Sequence, residues 1–205
     1  PNGLTTIGDS AFMWGTSFTG ELIIPDSVTY IGSYAFGYAT FSGVLKLPTG
    51  LTNSGLNSSA FSQCPNFTSV IIPPSITKLP ASVFERCGFT TIDIPPTLTE
   101  MGSYSFAYSH VNDLIIPSTV TKIGISAFYG STQLENLIVV SDATPNNNAF
   151  GSTPNLKEVL NLGNAAYTTT SYGLNADEVS DSIGDCFGYI SFVELGSDPK
   201  LTGPI

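Results

Sequence analysis

The sequence has few charged residues, and basic residues are the scarcest of them. Among 205 residues there are six lysines and arginines and one histidine against sixteen aspartates and glutamates, for a formal net charge of −10. A protein that binds nucleic acid neutralises phosphates with basic side chains, and anionic membrane surfaces attract the same kind of patch. The charge balance therefore argues against both classes of partner.

Long apolar runs and residues for catalysis or metal binding are also scarce. No run approaches the length of about 18 apolar residues that reads as a membrane-spanning helix, so we expect no membrane insertion within this chain. His110 is the only histidine, and the sequence has no Cys-x-x-Cys pair, calcium loop, P-loop or dinucleotide glycine motif. A lone histidine in a turn is most often a solvated surface residue. We therefore expect no catalytic residues, cofactors or metal sites.

What the sequence does contain is a repeat of 22 to 25 residues. Six copies carry an apolar pair, and in five of them a proline follows the pair, at Pro25, Pro48, Pro73, Pro95 and Pro117. One such unit cannot bury its apolar face alone, whereas stacked units cover one another, so the period predicts a repeat solenoid. Phenylalanine marks a second column in the same phase: Phe12, Phe36, Phe61, Phe84, Phe106, Phe128 and Phe150.

Each copy predicts one short β-strand. Apolar residues alternate with other residues ahead of the proline position, which is the pattern of a strand with one buried face. One strand per coil predicts a narrow parallel sheet, and proline ends each strand because it cannot donate to the ladder. The inward pairs are Leu22/Ile24, Leu45/Leu47, Val70/Ile72, Ile92/Ile94, Leu114/Ile116 and Leu137/Val139.

Two further columns carry small or hydroxyl-bearing residues. Three residues after each phenylalanine stands a small residue, and Cys64 and Cys87 occupy this column in adjacent coils. They either form a disulfide, since stacking brings such Cα atoms to about 5 Å, or are two more small buried residues; Cys186 has no obvious partner. We also hypothesise that a threonine column bonds through its hydroxyls to the backbone, each within its own coil: Thr29, Thr52, Thr77, Thr99, Thr121 and Thr144.

The pattern V-T-x-I-G-x-x-A-F, followed by a small residue, an apolar residue and L-x-I-P, resembles the BspA-like leucine-rich repeat family. The resemblance covers residues 1–162, as about six full coils and a degenerate seventh. It implies a leucine-rich-repeat right-handed superhelix of short parallel β-strands and turns. Members of the family are largely bacterial surface and secreted proteins, some of them adhesins for host matrix proteins. The columns themselves indicate only a stacked-coil scaffold.

The start of the chain and the seventh coil leave two points open. PNGLTTIG at Pro1 aligns with PDSVTYIG at Pro25, so we expect the chain to begin just after a strand, with a signal and an N-terminal cap upstream. In the seventh coil, strict phase places Val159 inward, whereas Leu160 and Leu162 alternate better. A slip of one residue reverses every side chain, so the register stays open.

The repeat stops after Leu162. Residues 163–205 contain six acids and one base, and Asn175 followed by Ala-Asp-Glu is typical of a helix N-terminus. We predict a short C-terminal helix near 176–186 and a strand near 189–195. This segment is either a cap over the last coil, which solenoids need for solubility, or the start of a following domain.

Outward-facing strand positions form the first candidate surface. An exposed apolar stripe marks a protein-binding surface. The alternative, which we slightly prefer, is that neighbouring side chains or the opposite side of a flattened coil cover the isoleucines in this column. The protein-binding candidates are Ile23, Lys46, Ile71, Asp93, Ile115 and Ile138.

Aromatic residues two positions after their phenylalanines form the second candidate surface. Trp14, Tyr38 and Tyr108 are the glycan-binding candidates, because aromatic rings on a rigid frame can stack on sugars. Gln63 and Arg86 interrupt this column, which argues against a continuous platform.

Together, the repeat and the resemblance predict a non-enzymatic, extracellular, adhesin-like scaffold that binds protein at the bacterial cell surface. The expected partner is a host matrix protein or another surface protein. The alternatives are a module that binds a glycan and a passive stalk that displays another domain.

Overall fold

Stacked coils make up the structure. A computed structural model describes residues 3–143, 145–146, 148–163 and 179–180. They form a β-solenoid of about seven coils, which confirms the predicted repeat solenoid of short parallel strands and turns. The strands are β1 (Thr6–Ile7), β2 (Tyr30–Ile31), β3 (Gly43–Lys46), β4 (Phe67–Ile71), β5 (Glu100–Met101), β6 (Asp113–Ile116), β7 (Lys122–Ile123), β8 (Asn136–Val139), β9 (Glu158–Asn161) and β10 (Val179–Ser180).

Parallel strands form where the sequence predicted them at β3, β4, β6 and β8; β9 lies in the degenerate seventh coil, and β10 was not predicted as a strand. β3 pairs with β4, and β6, β8, β9 and β10 pair in that order. The repeat columns stay aligned across the ladder, with Leu114 opposite Leu137 and Leu137 opposite Val159. Val159 is fully buried. The seventh coil therefore keeps the strict phase of the repeat.

Two of the predicted strand segments, residues 22–24 and 92–94, are not strands. Ile92 and Ile94 are nevertheless buried, and Leu22 and Ile24 pack partly buried against the core. The alternation thus predicted the side-chain directions correctly but overestimated how many segments pair as β-strands. Packing of the inward side chains holds these segments in place without the full pattern of backbone pairing.

A second, shorter ladder passes through the residues just ahead of the repeat glycines. β1 pairs with β2 and β5 pairs with β7, both in parallel. Isolated bridges from Ile31 to Leu56 and from Lys78 to Glu100 extend it. Each coil contributes only one or two residues, which is too short for alternation to be visible. The sequence therefore did not predict this second side of the coil.

Phenylalanine rings stack along the axis of the solenoid. Ring centroids are 5.1 Å apart between Phe36 and Phe61 and 5.3 Å apart between Phe106 and Phe128. The last described pair, Phe128 and Phe150, is also 5.3 Å apart with the ring planes nearly parallel. Every ring of the column from Phe36 onward is fully buried. Burying one such ring stabilises the fold by about 1.5–3 kcal/mol, so this column is the core.

The turn around each core phenylalanine has a left-handed residue on each side. Around Phe106, for example, Tyr104 has φ 57° and Tyr108 has φ 60°. A left-handed conformation costs a non-glycine residue about 1–2 kcal/mol. In return, the Phe106 N–H donates to Ala127 O of the next coil at 2.8 Å. Because an unpaired buried amide costs about 1–3 kcal/mol, hydrogen bonding between coils offsets the strain.

The threonine column bonds between coils. Thr99 Oγ1 donates to Thr77 O at 3.0 Å, and Thr121 Oγ1 donates to Thr99 O at 3.1 Å. The hypothesis that each hydroxyl bonds within its own coil is therefore wrong. Adjacent coils are only about 4.8 Å apart, which brings each hydroxyl within reach of the carbonyl oxygen of the equivalent threonine in the preceding coil. Thr52 instead shares a hydrogen bond with Ser54, Thr77 Oγ1 accepts from Asn53 Nδ2 at 2.9 Å, and Thr144 lies outside the described residues.

Carboxylates add further contacts between coils. Asp26 Oδ1 accepts from the Thr49 N–H at 2.9 Å, and Asp9 Oδ1 accepts from the Ser33 N–H at 2.8 Å. The Thr49 backbone hydrogen bond, with a smaller contribution from the Thr49 side chain, lowers the pKa of the Asp26 carboxyl. The contact therefore favours the charged form of Asp26.

Cys64 and Cys87 are free thiols in the buried small-residue column. Cys64 Sγ donates to Phe36 O at 3.0 Å, and Cys87 Sγ donates to Phe61 O at 3.1 Å. Burial raises the pKa of the Cys87 thiol well above its ordinary value, and the neighbouring Cys64 raises it further. The structure thus favours two small buried residues over a disulfide, while Cys186 lies outside the described residues.

The C-terminal predictions fall mostly outside the described residues. This applies to the strand near 189–195 and to most of the helix near 176–186. At Val179–Ser180, where the sequence predicted helix, the structure has β10 paired with β9. The helix prediction is wrong at this point, because pairing along β9 satisfies the backbone groups that a helix would have paired internally. The described part of the chain contains no helix.

Replacing a central phenylalanine should destabilise the solenoid more than replacing the first one. Phe106→Ala removes a ring that stacks between Phe84 and Phe128, and we expect a loss of about 3–5 kcal/mol in the free energy of unfolding. Phe12 lies in the same column but is 38% exposed, so Phe12→Ala is the matched control and should cost less than half as much. Urea unfolding followed by circular dichroism measures both, and equal losses would contradict the stacked core.

The two buried thiols should be unreactive in the folded protein. Full burial keeps both thiols inaccessible, and the raised pKa of Cys87 keeps its nucleophilic thiolate scarce. In a Cys186→Ser background, we expect a thiol-specific chromogenic reagent to label Cys64 and Cys87 only after denaturation. Labelling at the same rate in the folded and unfolded protein, or an intact mass lower by two hydrogens, would contradict this expectation.

Candidate binding surfaces

The first candidate surface, which we call the strand column, comprises Ile23, Lys46, Ile71, Asp93, Ile115 and Ile138. Ile23 is 81% exposed and Ile71 is 52% exposed. Lys46 and Asp93 are exposed too, whereas Ile115 and Ile138 are partly buried. The preferred expectation that neighbouring groups cover the isoleucines is therefore wrong for Ile23 and Ile71, because the core takes up only the alternate residues of each segment.

Strand geometry fixes the direction of these side chains. In β3, Leu45 is buried and Lys46 is exposed; in β4, Val70 is buried and Ile71 is exposed. Parallel pairing then aligns the exposed residues of adjacent coils, so that Lys46 lies opposite Ile71. The strand column consequently mixes apolar and charged side chains on a rigid frame.

The second candidate surface is a groove with a volume of about 630 Å³, which we call the aromatic groove. It crosses the coils along the column two residues after each core phenylalanine, and all three glycan-binding candidates line it. The left-handed φ angle at all six of these positions sets a common direction for the side chains. The residues of this column are Trp14, Tyr38, Gln63, Arg86, Tyr108 and Gly130.

Ring faces in the aromatic groove are largely occupied by other side chains. Trp14, 60% exposed, stacks on Tyr38 with ring centroids 3.9 Å apart. The Arg86 guanidinium carbon lies 3.9 Å from the centroid of Tyr108, an arrangement that is favourable between a cation and an aromatic face. Tyr38 and Tyr108 are half-buried. They therefore offer ring edges and hydroxyls to a ligand more than open faces.

Gly130 continues the same column on the far side of Tyr108. A Cβ atom there would lie 2.6 Å from two atoms of the Tyr108 ring, and the φ angle of Gly130 is +69°. Both observations explain glycine at this position. The stack of Arg86, Tyr108 and Gly130 holds the guanidinium in place.

The sequence did not identify two residues of the groove, Arg86 and His110, as binding residues. Arg86 was interpreted as an interruption of the aromatic column, yet it extends the stack onto Tyr108, whereas the stacking does stop at Gln63. The signal was available, since Arg86 and Tyr108 are 22 residues apart in one column and thus adjacent in space. His110 was interpreted as a solvated residue; it is exposed, and it lines the groove.

The described residues contain neither a cluster of metal-binding side chains nor a membrane-spanning helix. Among them, no group of three or more histidine, cysteine or acidic side chains is placed to hold a metal. None of their secondary-structure elements is a helix of the length and hydrophobicity required to cross a membrane. The surfaces with distinct chemistry are therefore the strand column and the aromatic groove.

Known structures share this fold. The chain is similar to a leucine-rich repeat protein from Bacteroides ovatus ATCC 8483 (22% identity, TM-score 0.58, 80% of this chain and 48% of that one). It is also similar to a leucine-rich cell surface protein from Faecalibacterium prausnitzii A2-165 (23% identity, TM-score 0.55, 77% of this chain and 59% of that one). A third similar structure is the pneumococcal vaccine antigen PcpA (16% identity, TM-score 0.58, 83% of this chain and 52% of that one). The matches span about half the length of these proteins. At these identities they show the fold alone.

Family-level comparison is more specific. No curated protein matches the chain. The model of the BspA type leucine-rich repeat region matches residues 5–57 and 54–172, in six copies. These matches follow the same repeat that places the core phenylalanines and the strand ladder. The chain therefore belongs to the BspA-type leucine-rich repeat family.

Proposed function

We propose that the chain is a non-enzymatic scaffold that binds another protein outside the cell, at the bacterial surface, through the strand column. The observation that carries this proposal is the exposure of Ile23 and of Ile71, the latter at the end of β4, in one column of the repeat. Single exposed isoleucines are ordinary on protein surfaces. Two of them lie here in one aligned column with Lys46 between them, and exposed apolar area arranged in this way is typical of an interaction surface.

The chemistry of the strand column suits a protein partner. Isoleucine side chains provide apolar area that a partner can cover, while Lys46 and Asp93 provide one charge of each sign to set orientation. Because the coils fix the backbone on both sides, little conformational entropy is lost on binding. A host matrix protein or another surface protein is the expected class of partner.

Surface location is supported by the descriptions of similar proteins and by composition. One similar structure is described as a cell surface protein and another as a vaccine antigen. In this chain, charged residues make up only 11%, which fits an exterior solvated by hydroxyls and amides. No observation on the described residues favours a passive stalk over a binding scaffold.

Introducing a charged side chain into the strand column should weaken partner capture without unfolding the protein. We expect Ile71→Lys to weaken binding to an immobilised extracellular-matrix protein by about tenfold or more, since it buries an unpaired charge in the contact. Biolayer interferometry against a panel of matrix proteins measures this. The matched control is Ile125→Lys, which changes an isoleucine of similar exposure (48%) outside the strand column.

Circular dichroism and thermal unfolding should be unchanged in both variants. Equal loss of binding in the two variants would point to a general charge effect and contradict the assignment to the strand column. A folded wild-type protein that captures no member of the panel would remove the support for matrix proteins as the partner class.

A further inference from the structure

Basic and aromatic side chains meet in the aromatic groove of a strongly acidic chain. Arg86 and His110 both line the groove, and they are two of only seven lysine, arginine and histidine residues in the sequence. None of the described residues that line the groove is an aspartate or glutamate, although the chain has sixteen of them. The described lining of the groove therefore carries one fixed positive charge, on Arg86, and no carboxylate, with Glu85 beside Arg86 at 3.9 Å.

Arg86 has hydrogen-bond donors to spare. In the described part of the chain, its ionic contact is with Glu85, whose Oε1 lies 3.9 Å from the Arg86 Nε. That distance is too long for a hydrogen bond, and the contact is partly solvated, with the Arg86 side chain 46% exposed. The guanidinium face rests on Tyr108, which leaves the planar edge with its paired N–H groups free for a ligand.

Hydroxyl and amide groups complete the groove. Thr16 and Thr132 are exposed at its two ends, and Gln63 lies between the Trp14–Tyr38 and Arg86–Tyr108 pairs. These groups donate and accept in the same way as the hydroxyls of a sugar. The groove spans six coils, or about 24 Å at the usual strand spacing, and a pyranose unit in an extended chain advances by a similar distance to one coil. An oligosaccharide thus matches both the chemistry and the spacing of the groove.

We propose that the aromatic groove binds a glycan that carries a carboxylate-bearing sugar, with the carboxylate on Arg86. A guanidinium edge binds a carboxylate through two parallel hydrogen bonds. Tyr108 and Gly130 hold the guanidinium in position, and the tyrosine hydroxyls and threonines contact the neighbouring sugars. The net charge of −10 repels a uniform polyanion, so the ligand has an isolated acidic sugar among neutral ones.

Two natural sources of this chemistry are a terminal sialic acid and a terminal uronic acid. Isothermal titration of the purified chain with a sialylated lactose and with a glucuronate-terminated disaccharide separates them. The neutral controls are lactose and the corresponding glucose-terminated disaccharide. We expect one acidic sugar to bind at least about tenfold more tightly than its neutral counterpart, because the hydrogen bonds to Arg86 are charge-assisted.

The variant Arg86→Gln tests the residue. Gln63 already occupies the same column with φ 64°, close to the 59° of Arg86, so the substitution suits the backbone. We expect Arg86→Gln to reduce the preference for the acidic sugar to about that for the neutral one. Lys122→Gln is the matched control, since it removes the same charge from an exposed residue outside both candidate surfaces, and it should leave the preference unchanged.

The outcomes are distinct from those for the strand column. Loss of sugar preference in Arg86→Gln, with capture of a protein partner intact, supports the groove as a separate site. Equal affinity for acidic and neutral sugars, an equal effect of the two glutamine variants, or no sugar binding by the folded wild-type chain at millimolar concentration would each overturn the proposal.

Discussion

Hydrogen bonding from one coil to the next is the constraint on which the rest of the structure depends. The amide of each phenylalanine in the column from Phe12 to Phe128 donates to the following coil, as from Phe61 to Val83 O at 3.0 Å and from Phe84 to Ser105 O at 3.0 Å. This bonding fixes the distance between coils, and a flat aromatic ring fills that distance. The left-handed residues on either side, the stacked rings and the alignment of every column follow from it.

Aligned columns turn a one-dimensional sequence into surfaces. Each residue lies beside the residue at the equivalent position of the next coil. A single substitution therefore changes one coil, whereas the same residue type repeated in several coils forms a continuous column on the surface. The strand column and the aromatic groove are two such stripes, and they use different residues of the same coils. One family scaffold can thus present two chemistries, apolar with mixed charge in one column and aromatic with positive charge in the other.

The sequence predicted what repetition makes visible and missed what depends on neighbouring coils. Phe106 and Leu114 could be placed inward from periodicity alone. The β1–β2 and β5–β7 ladder could not, because two residues show no alternation. The threonine hydroxyls were assigned to the wrong coil, since sequence gives the donor and not the nearest acceptor. Arg86 looked like an interruption because its contact is with the ring of Tyr108, which is close in space and distant in the chain.

The direction of the hydrogen bonds between coils also determines how the solenoid responds to force. Bonds such as those from Phe106 N to Ala127 O lie along the stacking axis. Tension applied along that axis loads the boundaries between coils in series, so the weakest boundary yields first and coils detach one after another. Each detached coil releases a length of slack chain. A solenoid of this kind would lengthen in steps under tension and recover as coils restack on the remaining template.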